Sequence, residues 1–105
     1  MILDEYKDIK QLYRHVFAYV IYSGQDDTTY YWFNEQGDLL MSRALDTLDY
    51  EGARKKVVKE YAMQDETVRL GYGYERAVYM IEDAQMEIYL DIDTLEPVFI
   101  RRKGL

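Results

Sequence analysis

Apolar and polar residues alternate most regularly near the end of the chain. From Met86 to Ile92 every second residue is methionine, isoleucine or leucine, with Glu87, Tyr89 and Asp91 between them. A period of two is the pattern of a strand with one buried face. We therefore expect a strand here, with the even-numbered residues in the core and the three intervening residues facing outward.

Six further segments are rich in the β-branched and aromatic residues that favour strands. They are Val16–Tyr22, Thr28–Phe33, Leu39 to about Arg43, Thr67–Tyr74, Ala77–Ile81 and Val98–Arg102. Polar turn segments separate them, including Ser23–Asp27 and Asn34–Asp38. No proline-rich or glycine-rich linker interrupts the chain, so the pattern predicts one continuous domain.

Two segments instead repeat apolar residues every three or four positions, which is the helix period. The first runs from Leu3 to about Arg14 and the second from about Asp49 to Met63. The order of helix, strands, helix, strands predicts an α+β fold, with two helices packed on an antiparallel sheet of five to seven strands. The expected core includes Tyr50, Ala53, Val57, Ile88, Leu90, Ile92 and Val98.

The two halves of the chain end in similar hairpins. Residues 31–43 and 89–101 each have an aromatic residue in the first strand, then a polar turn and an apolar strand ending in arginine, at a constant offset of 58. Two helix-plus-hairpin repeats, 1–45 and 46–105, would explain this likeness. Chance similarity between any two hairpins is the alternative.

Length and charge restrict the class of protein. The chain has 105 residues, the size of one domain, with no cysteine and a net charge of −7. The charge argues against direct nucleic-acid binding, which needs a basic surface. No apolar run is long enough for a membrane span and no signal peptide is visible, so we expect a soluble, cytoplasmic protein. Removal of a leader would instead place it outside the cell or tethered to a membrane.

A family resemblance rests on the second half. Residues 77–81 and the segment Glu87–Val98, which contains Asp91, Asp93-Thr94 and Glu96, resemble the closing half of a PepSY domain. The helix from about Asp49 would match that family's helix, and the chain as a whole resembles tandem PepSY-like or cystatin-like bacterial proteins. Leu95 stands where the family usually has a turn glycine. The resemblance implies a non-catalytic interaction module and assigns no functional residue.

Several groups of residues have the chemistry of possible sites. His15 is the only histidine and would sit at a helix end, where a capping or surface role fits, and neither Ser23 nor Ser42 lies in a nucleophile motif. Gly71-Tyr72-Gly73 is too short for a dinucleotide loop and fits a bulge or close packing. We expect no catalytic site, no metal and no cofactor. The remaining groups are the carboxylates Asp91, Asp93 and Glu96, which fit turn positions, and the helix cations Arg54, Lys55, Lys56 and Lys59, which fit a solvated face or an anion site.

Tyrosine is unusually common, at 12 residues, and suits both sheet packing and binding surfaces. The candidate interaction surface comprises Tyr30, Trp32, Tyr72, Tyr74 and Tyr89. The leading hypothesis is a PepSY-like or cystatin-like module that binds another protein through this face or through an open edge strand, which could also form a homodimer. The alternative is a small acidic inhibitor of a basic nuclease or nucleic-acid-binding protein. That inhibitor would gather Asp26, Asp27, Glu82, Asp83, Glu87 and Asp91 on one face.

Overall fold

The computed structural model, which describes residues 5–10, 12–16, 19–73 and 75–103, contains eight strands and one α-helix within those ranges. The strands are β1 Tyr13–Val16, β2 Val20–Gln25, β3 Thr29–Asn34, β4 Leu39–Ala44, β5 Thr67–Gly73, β6 Arg76–Glu82, β7 Met86–Asp91 and β8 Pro97–Arg102. A short 3₁₀ turn spans Leu45–Thr47 and the helix α1 spans Tyr50–Tyr61. None of the helices in the described ranges has the length and apolar character needed to cross a membrane.

The strands form two sheets rather than one. Each is a four-stranded antiparallel meander, in the orders β1-β2-β3-β4 and β5-β6-β7-β8. The chain divides into two units, 1–48 with 71–73, and 49–70 with 74–105. The α+β class stands, but the prediction of two helices on a single sheet of five to seven strands is wrong.

Of the first predicted helix, Leu3 to about Arg14, the structure describes Glu5 as helical, and a turn and then a strand follow it. The Ile9 N–H donates to the Tyr6 carbonyl at 3.2 Å, and β1 begins at Tyr13. Ile9 is buried together with Phe33, and Tyr6 and Leu12 pack against this pair. The spacing of three therefore arises from an irregular segment that packs its apolar residues on a sheet, and the pattern alone does not distinguish that from a helix.

The predicted strand Val16–Tyr22 is two strands. β1 ends at Val16, β2 begins at Val20, and these two residues are register partners across a short connection. Residues 17 and 18 lie outside the described part. This hairpin was missed because its connection carries no glycine, proline, asparagine or aspartate to mark it.

The second unit places α1 on β6, with Ala53 and Val57 buried. Its first turn is capped by Asp49, whose side chain accepts from the Gly52 N–H at 2.9 Å. The Asp49 N–H donates in turn to the hydroxyl of Tyr79, a fully buried residue of β6, at 2.6 Å. The start of the helix is thus attached to the sheet by a hydrogen bond, as well as by apolar packing.

The strand β7 follows the predicted pattern in part. Its four predicted core residues, Met86, Ile88, Leu90 and the adjoining Ile92, are all buried. Tyr89 was expected to face outward but is only 5% exposed, and its ring lies 5.1 Å from that of Phe99. Two other core assignments also fail, because Tyr50 is 39% exposed and Val98 is only half-buried.

The central hairpins of the two sheets share one register. The pair Tyr22↔Phe33 joins β2 to β3, and the pair Tyr79↔Leu90, 57 positions later, joins β6 to β7. All five register pairs of the two hairpins correspond in this way. They are Ile21↔Asn34, Tyr22↔Phe33, Ser23↔Trp32, Gly24↔Tyr31 and Gln25↔Tyr30, matched by Val78↔Asp91, Tyr79↔Leu90, Met80↔Tyr89, Ile81↔Ile88 and Glu82↔Glu87.

The last hairpins also correspond. The register shifts between Trp32 and Phe33 in the first sheet and at the matching place, between Tyr89 and Leu90, in the second. The next turn is one residue longer in the second sheet, so counterparts after it lie 58 positions apart. Gly37, at φ 90°, then matches Leu95, at φ 61°. A leucine therefore holds the positive φ that a glycine holds in the first sheet.

Leu90 tests the packing of the second unit. Its side chain is fully buried, so Leu90→Ala should lower the free energy of unfolding by about 2–5 kcal/mol, through lost burial and the cavity left behind. The matched control is Ile100→Ala on β8, where the side chain is 45% exposed and the loss should be smaller. Equal losses in urea titrations of the two variants would contradict the burial pattern.

Candidate functional site

The predicted aromatic surface is largely inside the protein. Tyr30 is 7% exposed, Trp32 is fully buried and Tyr89 is 5% exposed. Tyr72 is half-buried, and Tyr74 lies outside the described residues. These side chains therefore contribute to sheet packing, and the described ones do not form an exposed aromatic face.

The first unit holds its buried aromatic residues by specific contacts. The Tyr30 hydroxyl lies 2.9 Å from the Ser23 hydroxyl, and the Tyr30 and Trp32 rings are 4.8 Å apart. Burial raises the pKa of Tyr30. The Trp32 Nε1 is buried with no hydrogen-bond partner among the described residues. Ser23, expected in a turn, is instead a buried residue of β2.

Two shallow grooves lie at matching places in the two units. One, of about 420 Å³, is lined by Asp8, Lys10, Tyr13, Gly24, Gln25, Asp26, Asp27 and Tyr30. The other, of about 470 Å³, is lined by Ala62, Gln64, Asp65, Thr67, Glu82, Asp83, Ala84, Gln85 and Lys103. Asp8, Lys10 and the segment 25–27 of the first groove match Asp65, Thr67 and the segment 82–84 of the second at an offset of 57. The side chains differ at several of these positions, so the grooves follow from the shared backbone.

One of the two carboxylates common to both grooves, Asp26 in the first and Asp83 in the second, shapes a turn. Asp26 Oδ1 accepts from the N–H groups of Thr28 and Thr29, at 3.0 and 2.9 Å. Asp83 Oδ1 accepts from Gln85 and Met86 in the same way, both at 2.8 Å. The hydrogen bond from the Thr28 N–H is the main cause that lowers the pKa of Asp26.

Asp83 and three other acidic residues make hydrogen bonds or ion pairs within the second unit. Burial alone would raise the pKa of Asp83, but the amide hydrogen bonds outweigh it and the pKa is lowered. Glu82 pairs with Lys103 at 2.6 Å, Glu87 with Arg101 at 3.5 Å, and Asp91 with Arg76 at 3.1 Å. In the described part of the chain, no group of three or more histidine or acidic side chains could hold a metal ion.

Asp91, Asp93 and Glu96, the carboxylates considered above as a cation site, lie at the turn between β7 and β8. Asp91 Oδ1 accepts from the N–H groups of Asp93 and Thr94, at 2.8 and 3.0 Å. Burial alone would raise the pKa of Asp91, but these amides and Arg76 lower it. The Glu96 N–H donates to the Thr94 hydroxyl at 3.1 Å.

Gly71 and Gly73, which are too closely spaced for a dinucleotide loop, are buried residues of β5.

His15 lies on β1, not at a helix end. Its Nε2 accepts from the Tyr72 N–H at 3.3 Å, and both residues belong to the first unit. Burial lowers the pKa of His15 below its ordinary 6.5. The contact needs an unprotonated Nε2, so the imidazole acts here as a neutral acceptor for a main-chain amide.

The strand β4 is an edge strand that carries two exposed leucines. It pairs with β3 on one side, and none of the described strands pairs with its other side. Leu39 is 44% exposed and Leu40 is 38% exposed. The corresponding edge β8 begins with Pro97 and ends with Arg101 and Arg102, residue types that protect an edge from pairing.

Outward-pointing backbone groups on β4 follow from its register. The Leu45 N–H donates to the Thr28 carbonyl at 2.9 Å, so it points toward β3. Antiparallel strands alternate, and Ala44 and Ser42 therefore direct their N–H and C=O groups away from β3. Sequence analysis did not single out these residues, since their role depends on the register and on no side-chain signal.

Comparison of the chain with models of protein families, with curated proteins and with solved structures finds no match.

The His15 contact predicts a stability change in mild acid. The unfolded state binds the proton more tightly than the folded state, so stability should be full above about pH 6.5 and should fall as the pH drops toward the lower folded pKa. His15→Gln, which keeps an acceptor oxygen but does not titrate, should lack this component. An NMR titration of the single imidazole giving a pKa at or above 6.5 would contradict the assignment.

Proposed function

We propose that this chain is a non-catalytic protein-interaction module that binds an extended segment of another protein along the β4 edge. The observation that carries the proposal is this edge, with exposed Leu39 and Leu40 beside the outward N–H and C=O of Ser42 and the outward N–H of Ala44. The Ala44 carbonyl already accepts from the Thr47 hydroxyl at 2.6 Å. Strand addition takes its affinity from main-chain hydrogen bonds and its specificity from neighbouring side chains. The β4 edge offers both.

The partner in this proposal is a different protein and not a second copy. Antiparallel self-pairing can place Ser42 opposite Ala44 of the other copy. In that register Arg43 would face Arg43 directly, and like charges in that position oppose pairing. A homodimer in that register is therefore disfavoured.

The resemblance to PepSY-like domains supports a non-catalytic role. This chain has Leu95 where the family usually has a turn glycine, but Leu95 adopts a left-handed φ of 61°, which such a glycine would supply. The backbone requirement of the motif is thus met by a leucine. Matching registers in the two sheets also favour a duplicated unit. The likeness between residues 31–43 and 89–101 has an offset of 58, whereas the central hairpins correspond at an offset of 57.

The acidic-inhibitor alternative has less support. Asp26, Glu82, Asp83, Glu87 and Asp91 all make hydrogen bonds or ion pairs within their own unit. A surface that recognises a basic partner by charge needs carboxylates whose charge is not already compensated. Asp27, which is exposed, remains the best candidate of that set.

Ala44→Pro tests the β4 edge without disturbing the sheet. Ala44 already has φ −63°, the value that proline requires, and its N–H points away from β3. The variant should fold with an unchanged melting temperature but lose strand addition. Ala44→Ser, which keeps the N–H, is the matched control.

The measurement is quantitative mass spectrometry of proteins retained from extracts of the native host, at low and high salt. Wild type and Ala44→Ser should retain the same partner at both salt concentrations, and Ala44→Pro should not. Equal retention by the proline variant, or no partner retained by wild type, would contradict the proposal.

A further inference from the structure

The exposed side of α1 carries a cluster of cations whose charges are uncompensated. Arg54, Lys55 and Lys59 are exposed and make no ion pair with any described residue, whereas Lys56 pairs with Glu60. Three other cations of the same unit, Arg76, Arg101 and Lys103, each contact a carboxylate. The helix thus places three cations without an ion pair to any described residue within six consecutive positions, 54–59.

An apolar side chain lies among these cations. Val58 is 47% exposed and follows Arg54 by four positions and Lys55 by three, so the three share one helical surface. Arg54, Lys55, Val58 and Lys59 together form what we call the α1 face. Lysine and arginine alone would be typical of a solvated helix, but an exposed valine gains nothing from solvent.

We propose that the α1 face docks an acidic segment of a partner protein, one that carries carboxylates on both sides of an apolar residue. Charge complementarity selects this occupant, because the cations lie around Val58 and lack partners in the described part of the chain. Nucleic acid fits less well, since the chain as a whole, at net −7, repels a long polyanion. The inference is independent of strand addition at β4.

The probe is a short fluorescein-labelled peptide of alternating glutamate and leucine, with a glutamine-for-glutamate version as its control. Fluorescence anisotropy would be measured at about 0.05 M and about 0.3 M NaCl, which shortens the screening length about 2.4-fold. The glutamate peptide should bind, and more weakly at the higher salt. The glutamine peptide should bind at least about tenfold more weakly.

Matched variants locate the binding. Lys55→Gln with Lys59→Gln should weaken binding about tenfold, because each exposed ion pair contributes up to about 1 kcal/mol. Arg69→Gln with Arg102→Gln removes the same charge from two exposed strand residues and should have little effect. Val58→Ser should weaken binding about threefold at both salt concentrations, through lost apolar contact. Circular dichroism of each variant checks that the helix is intact.

Three results would overturn the proposal. One is equal weakening by the two double variants, which would mean that only net charge matters. Another is equal binding of the glutamine peptide. The last is tighter binding of duplex DNA or of phosphatidylserine vesicles through Lys55 and Lys59, which would assign the α1 face to a different class of partner.

Discussion

One aspartate in each unit fixes the register of the central hairpin. The Asp26 N–H donates to the Thr29 carbonyl at 3.0 Å while its side chain accepts from two amides, and Asp83 makes the same set of bonds. A slip of one residue would send every buried side chain of these strands to the opposite face. The turns therefore determine which residues are buried and which backbone groups reach the sheet edges.

The same turns explain why the two units resemble each other more in geometry than in sequence. At matching positions Ser23 corresponds to Met80 and Trp32 to Tyr89, so their side-chain chemistry differs. What persists is the aspartate, the register and the place of the register shift. The two meanders thus share one backbone arrangement, with an open edge in the first sheet and a protected edge in the second.

Sequence reasoning succeeded where one periodicity matched one environment. The helix α1 and the buried alternation of β7 were found because apolar spacing there directly reflects burial. It failed at Tyr6, Ile9 and Tyr13, whose spacing of three and four belongs to an irregular segment that packs on a sheet and leads into β1. It also placed Tyr30, Trp32 and Tyr89 on a surface, since tyrosine and tryptophan are common both in sheet packing and at interfaces. The β4 edge was foreseen only as a general option, because an unpaired backbone has no sequence signature.

Amide hydrogen exchange along β4, followed residue by residue by NMR, is the most direct test that the turns set this register and leave this edge open. The amides of Ser42 and Ala44 should exchange rapidly, and those of Arg43 and Leu45, which donate to β3, should be protected. Protection of Ser42 and Ala44 would mean that the edge is covered. Rapid exchange at Arg43 and Leu45 with slow exchange at their neighbours would mean that the register itself is wrong.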